Sequence, residues 1–569
     1  MSKRHPQIKP VRARATIQVS LSDGRVFEGQ RNTPLREFFR VACDDTENPP
    51  VAAIVQGELR ELAWPVGNDV TLEPIFLADS DGMKIYCRSL SFLLIVATHE
   101  LFPNVPLFID YSVPHGGYFC RIEGRCPFTS EELAKIKGRM RAMVAEDLSI
   151  ERLRLSSEEA ESIFAARGEM GKVRLLKNVN EDHIHLYSLN GFLDYFYGYM
   201  VPSTRYLKTF ALEPFSDGFI LRFPRREDTT RLLPSQRFTA LREVFSEYGK
   251  WLNVVRVRDV SSLNEAVRSR RIEEVILVSE ALHERRIAEI ATALADRHDE
   301  DHRLVFIAGP SSSGKTTFSK RLSVQLLANG IHPYPLAMDE YFLPRNQLMQ
   351  EGKEIDFDSF AALDLPFFGA QLRDLLHGKK VKLPHYDFKS GKRVAGPTIK
   401  LRPDQILIVE GIHGLNPHLL EGFPEEMIYR IFVSALTQLN LDRHNRIPTT
   451  DTRLLRRIVR DAVYRGYDAE ETLAMWENVR RGEKQNIFPY QEQADVMFNS
   501  ALVYELAILK PLVEPLLLQV KRTRPRIEAE RLLAFLGWFE SYPTGNIPGN
   551  SILREFVGGS TLRNFTPEM

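Results

Sequence analysis

Gly309-Pro310-Ser311-Ser312-Ser313-Gly314-Lys315-Thr316-Thr317 is the stretch on which the reading of this chain turns. It follows the apolar run Leu304, Val305, Phe306, Ile307, Ala308 and precedes Phe318, Leu322 and Leu326, spaced as one buried helix face. A loop of this composition between a strand and a helix is a phosphate cradle, because its glycines let consecutive amides turn inward around a polyphosphate. Gly309, Ser311, Ser312, Ser313, Gly314, Lys315, Thr316 and Thr317 are therefore expected to bind the phosphates of ATP or GTP. In that arrangement Lys315 neutralises charge on the last two phosphates, the Thr316 hydroxyl holds Mg2+, and the helix N-terminus adds a favourable dipole.

Composition bounds the rest. The 569 residues exceed what one hydrophobic core serves, and 75 basic against 75 acidic side chains remove any overall electrostatic argument for nucleic acid. The apolar run from Phe92 to Ala97 is far too short to cross a bilayer, and the basic start (Lys3, Arg4, Lys9, Arg12, Arg14) has no apolar segment behind it to make a secretion signal. A cytoplasmic protein without membrane contact is the expectation. Four cysteines, Cys43, Cys87, Cys120 and Cys126, lack the paired spacing of a structural zinc site and read as reduced thiols.

Beyond the loop, the strand through Tyr334 to Met338 runs into Asp339, and the apolar strand Ile406 to Val409 runs into Glu410. Parallel sheets present reactive groups at the carboxyl ends of their strands, so both acids are predicted beside the phosphate loop. Asp339 is assigned as the base for an attacking hydroxyl, and Glu410 joins Thr316 around the metal. Arg453, Arg456, Arg457 and Arg460 recur on one helix face. That spacing predicts a lid whose arginines, Arg453, Arg456 and Arg460 foremost, close over the triphosphate. Arg443 and Arg446 precede the lid and are candidates for an acidic group of the substrate.

Two resemblances extend this reading. The phosphate loop, the strand-end acids and the Asp451-Thr452-Arg453-Leu454 lid entry resemble the uridine kinase and phosphoribulokinase group. That resemblance implies a ribose-binding role for Asp358 and a base-stacking role for Tyr386 within Pro384-His385-Tyr386-Asp387-Phe388, with His385 a further substrate contact. Gly391 stands where uridine kinases keep a pyrimidine-binding histidine, and a missing buried hydrogen bond removes about 1–3 kcal/mol of discrimination, so the resemblance does not carry uridine itself across.

The front of the chain is similar to the TGS and second editing-type domains of threonyl-tRNA synthetases. Short strands at Ala15 to Leu21, Ala52 to Val55 and Val70 to Glu73 around a Leu35 to Val41 helix carry the first likeness. The second rests on Glu100 to Pro103, a capped helix start at Phe128 to Leu133, and Val201 to Thr204. At the positions matching the synthetases' metal ligands stand Arg88, Phe92, Phe196 and Met200, a set expected to pack rather than bind zinc.

The expected architecture is multidomain α/β and α+β: a TGS-like β-grasp domain over 1–78, an editing-like α+β domain without metal ligands over 79–235, a bridging α/β segment over 236–298, a P-loop parallel-sheet kinase domain over 299–520, and a C-terminal helix and docking tail over 521–569. Strands are predicted at Leu252 to Val257 and Glu274 to Val278 in the bridge. The expected function is transfer of the terminal phosphoryl group of ATP or GTP to a hydroxyl of a nucleoside-like small molecule. The alternatives are a non-nucleoside acceptor, or an NTP-dependent regulator that meets tRNA or the ribosome through the front domains. A homo-oligomer is compatible with each.

Overall fold

The computed structural model describes residues 14–43, 48–178, 182–236, 238–298, 303–348, 359–387 and 390–567. The chain divides into two compact units, Met1–Arg167 with Glu181–Ser235, and Gly168–Asn180 with Gln236–Met569. The block expected over 79–235 is thus interrupted. Gly168–Asn180 belongs to the second unit because its Met170–Leu176 helix packs on the Val260–Arg268 helix and buried Lys172 lies 3.0 Å from His444 Nδ1. The segments 236–298 and 521–569, expected as separate pieces, also fall within the second unit.

In the first unit, a five-stranded sheet runs in the order Val26–Gln30, Thr16–Leu21, Val70–Ile75, Ala52–Val55, Glu58–Glu61, with only the Thr16–Leu21 and Val70–Ile75 pair parallel. The Leu35–Ala42 helix lays Leu35, Phe38 and Phe39 into the core that Ile17, Val19 and Leu72 supply. Further along, Ser80–Leu101 is a long buried helix, and Ala211–Phe215, Gly218–Arg222, Gly117–Ile122 and Leu107–Val113 form an antiparallel sheet. Ser130–Ala145 starts on a reciprocal cap: Thr129 Oγ1 accepts from Glu132 N at 3.2 Å and Glu132 Oε2 accepts from Thr129 N at 2.9 Å. Arg88 donates to Tyr199 O at 2.5 Å, the Phe92 and Phe196 rings lie 5.1 Å apart, and Met200 is buried. At these positions the aromatic pair packs in the interior and Arg88 is engaged with backbone.

The second unit is built on a parallel sheet ordered His332–Ala337, Gln405–Glu410, Leu304–Ala308, Ile428–Ser434, Val496–Asn499. Its central strand is buried on both faces, which is why Leu304 to Ala308 reads as an unbroken apolar run. Helices Thr239–Val254, Val260–Arg268 and Ile272–His298 precede it, so the strand predicted over 274–278 is replaced by helix and that over 252–257 by a helix end and the turn that follows it. Buried Ile272, Val275, Ile276, Ser279, His283, Ile287, Ile290 and Leu294 form a stripe on one helix face, at spacings of three and four except for the adjacent Val275 and Ile276. The apolar run within 274–278 is one turn of that stripe rather than a strand. Among the described residues, no helix is long and apolar enough to cross a membrane.

His283 on this stripe is 1% exposed, with Nε2 3.2 Å from Ala501 O and its ring 5.2 Å from Phe498. A carbonyl only accepts, so Nε2 carries the proton of the neutral ring. Burial, aided by the Arg321 charge, pushes its pKa from 6.5 down to about 3. The unfolded chain takes up this proton as pH falls through 6.5 and the folded chain does not, so the stability held above 6.5 is lost progressively toward pH 3. Between pH 6.5 and pH 5 the loss is about 2 kcal/mol. Urea midpoints at pH 7 and pH 5 should differ accordingly, and the difference should shrink in His283→Gln.

Candidate active site

The Leu304–Ala308 strand delivers the chain into the phosphate loop, where Gly309 passes so close to Val433 O that a Cβ would stand 1.9 Å from it. Ser312 (φ 58) and Gly314 (φ 86) turn left-handed, and the chain enters the Lys315–Ala328 helix. Left-handed backbone is free for glycine and unfavourable for serine, so the packing around Ser312 holds the turn. Lys315 is buried and donates to Pro310 O at 3.3 Å. Burial lowers its pKa, opposed by the negative charges of Glu410, Glu555 and Asp339.

The neighbouring strand ends bring the acids to this loop. Thr316 Oγ1 donates to Glu410 Oε1 at 3.1 Å. Desolvation raises the Glu410 carboxyl to about 7, with Glu555 and Asp339 adding to the rise and Lys315 opposing it. A hydroxyl and a carboxylate side by side at a helix N-terminus are an all-oxygen donor pair suited to a hard divalent cation such as Mg2+. Asp339 lies in the Met338–Tyr341 turn that follows His332–Ala337. Its side chain is exposed to solvent, yet the protein around it raises its carboxyl, while Lys315 and Arg465 pull it down.

Beside these acids lies a cleft of about 410 Å³ walled by Ala337, Glu340, Pro384, His385, Pro397 and Glu410. Glu340 fastens the Lys380–Asp387 strand to it, with its Oε2 3.0 Å from His385 Nδ1 and accepting from Tyr386 N at 2.7 Å. His385 therefore faces the cleft. Tyr386 does not: strand side chains alternate, and its ring is buried in the core against Phe342, 5.8 Å away, so the expected base-stacking position is corrected to a core position. Asp358 lies outside the described residues. Gly391 (φ 65) closes a turn, its N donating to Asp387 O at 2.7 Å and its O accepting from Arg345 N at 2.8 Å. A histidine there would be strained, and its Cβ would stand 2.7 Å from the Arg345 side chain.

The arginine helix, Thr449–Arg460, departs furthest from expectation. Arg453 and Arg456 are 1% and 0% exposed and are committed to Glu483 and Glu505 in buried ion pairs. Their remaining hydrogens reach the phosphate loop's own backbone: Arg453 donates to Ser311 O at 3.0 Å, and Arg456 reaches Ser312 O at 3.4 Å. Arg457 donates to Ser311 Oγ at 2.8 Å, Glu483 accepts from Ser311 N at 2.9 Å, and the Ser500 hydroxyl donates to Ser313 O. For Arg453 and Arg456 the expected lid is thus corrected to a clasp on the loop backbone, since guanidiniums held by buried carboxylates cannot swing over a phosphate without leaving those charges unpaired. Arg460 pairs with buried Asp461 at 2.6 Å, and burial together with the Arg465 charge lowers its pKa to about 10. Arg443 is likewise committed, 2.8 Å from Glu169, and Arg446 is half-buried in the same loop. Neither lines the cleft.

Glu483, Glu505, Ser500 and Glu555 were not singled out from sequence. Only Glu483 carried a local signal: it falls on the buried stripe of the Ala469–Asn486 helix with Thr472, Leu473, Trp476 and Val479, and an acid in an apolar stripe requires a partner. Glu555 accepts from Thr317 N at 3.0 Å across 238 residues of chain, a contact with no local trace.

Residues 304–507 match the profile of the Phosphoribulokinase / Uridine kinase family. The chain is also similar to threonine–tRNA ligases, with 30% identity over 197 residues to that of Acetivibrio thermocellus (34% of this chain, 31% of that protein). Against that of Psychrobacter cryohalolentis the identity is 29% over 217 residues (38% and 34%). It spans about a third of the length of the curated relatives it matches. Among solved structures, D-glycerate 3-kinase from Cryptococcus neoformans var. grubii aligns with a TM-score of 0.28 and 14% identity, covering 36% of this chain and 87% of that one. One chain thus joins a P-loop kinase-like domain to a region similar to threonyl-tRNA synthetases.

Proposed function

We propose that the chain is a phosphotransferase that moves the terminal phosphoryl group of ATP or GTP to a hydroxyl of a small molecule bound in the cleft beside Glu340. The reading rests above all on the Thr316–Glu410 contact of 3.1 Å at the mouth of the phosphate loop, with Lys315 and Asp339 electrostatically coupled to it. In this reading the loop amides and Lys315 hold the polyphosphate, Thr316 and Glu410 hold Mg2+, and Asp339 receives the acceptor's proton as its oxygen bonds to phosphorus and the nucleoside diphosphate departs. Magnesium, when bound, neutralises charge shared between the last two phosphates. Asp339 needs little basicity, because alignment and charge placement supply most of the acceleration in a loose transition state.

The polar wall of Glu340 and His385 suits an acceptor bearing several hydroxyls. The buried Tyr386 ring and the Gly391 turn withdraw two contacts a nucleobase would use, which favours a non-nucleoside acceptor within this reading. The similarity to threonine–tRNA ligases motivates a second reading, an NTP-dependent regulator that meets tRNA or ribosomes.

A mass-spectrometric screen of ATP and magnesium against nucleosides, sugars and other polyols separates the readings, with Asp339→Ala as control. One product heavier by a phosphoryl group, absent in the variant, is the expected outcome. Hydrolysis stimulated by RNA or ribosomes, with no acceptor modified, would replace it with the regulator.

A further inference from the structure

The segment following Gly549 binds the phosphate loop itself. Ile552, Leu553 and Phe556 are fully buried, and Ile552 presses on the loop so closely that a Cβ on Gly314 would lie 2.5 Å from its Cγ2. The Arg456 guanidinium stands 5.0 Å from the Phe556 ring centre, and Lys320 Nζ donates at 2.8 Å to both Leu562 O and Arg563 O. These anchors bring Glu555 to the first turn of the Lys315–Ala328 helix, where its carboxylate accepts from Thr317 N at 3.0 Å. That amide belongs to the row of N–H groups that cradle α- and β-phosphates. The seat suits an anion: it lies at the positive end of a fourteen-residue helix, beside Lys315 and Lys320.

We propose that Glu555 is a built-in competitor for the nucleotide, occupying with its carboxylate the Thr317 amide that a donor phosphate must take. The inference rests on the reading that the loop binds a nucleoside triphosphate. One N–H cannot serve a carboxylate and a phosphate oxygen in full, and two anions in one cradle repel. The apolar anchors remain seated while the Glu555 side chain yields, so the device sets donor affinity without unfolding the segment.

Glu555→Gln keeps the shape and removes the charge, while Glu555→Asp keeps the charge and draws it back from the amide. Binding of fluorescent ATP with magnesium to the full chain should tighten about 10- to 100-fold in Glu555→Gln, the range set by one charge-assisted hydrogen bond. It should tighten by a smaller factor in Glu555→Asp. Unchanged affinity in both variants, or weaker binding in Glu555→Gln, would overturn the competition. So would a gain in Glu555→Gln with none in Glu555→Asp, which would mark a general charge effect. A failure of the triphosphate reading looks different: the wild type and both variants would all leave the nucleotide unbound, and Lys315→Ala would change nothing.

Discussion

Replacing Asp339 with asparagine is expected to slow phosphoryl transfer by about 10²–10⁴-fold, the range for loss of a positioned general base. The substitution preserves volume and one carbonyl oxygen but leaves position 339 without a group to take the acceptor's proton. Asp339 also supports the charge of Lys315, whose ammonium is buried and disfavoured by desolvation. Its neutralisation should therefore weaken ATP binding by only a few-fold, because Glu410 and Glu555 still face the lysine. Single-turnover transfer, measured beside equilibrium nucleotide binding, distinguishes the two effects. A rate within tenfold of the wild type would remove Asp339 from the chemistry.

The second large effect is on stability. Glu483→Ala should destabilise the folded chain by about 3–5 kcal/mol, because it leaves the Arg453 guanidinium charged, buried and unpaired. Glu483 is 2% exposed and Arg453 1%, and the second guanidinium contact is 2.8 Å, so solvent gives no relief. The same change strips the acceptor from Ser311 N and loosens the first turn of the phosphate loop. A fall in the urea midpoint with an unchanged m-value is the expected signature. Glu483→Gln, which can still accept from Ser311 N, should recover part of the loss. Equal midpoints for the alanine variant and the wild type would mean that the pair contributes nothing.

What could be read in advance was what is local. The strand–loop–helix unit at 304–328 was legible because each part constrains the next: an apolar run buried on both faces, glycine where Val433 O leaves no space, and a helix stripe of Phe318, Leu322 and Leu326. Asp339 and Glu410 were legible as acids at the ends of apolar runs. The helix Ile272–His298 was missed because the fragment around Val275, Ile276 and Val278, taken alone, is rich in β-branched residues, and its helical period emerges only over the full 27 residues. Tyr386 was misplaced because a resemblance carries residue type but not which face of a strand points inward.

The arginines show a different limit. Spacing put Arg453, Arg456 and Arg457 on one side of a helix, as found, but spacing is silent about what that side meets. Their partners Glu483 and Glu505 lie 30 and 49 residues away, and the contacts with Ser311 and Ser312 span more than a hundred. Chemistry set by long-range pairing leaves its mark in a sequence only as a charge where an apolar residue would otherwise stand.

Because arginine hydrogens and the Ser500 hydroxyl already tether the carbonyls of Ser311, Ser312 and Ser313, the turn is rigid before any donor arrives, and an incoming donor has little ordering of the chain to drive. Variation in donor affinity among substitutions around this turn should accordingly appear in residence times, with association rates nearly constant.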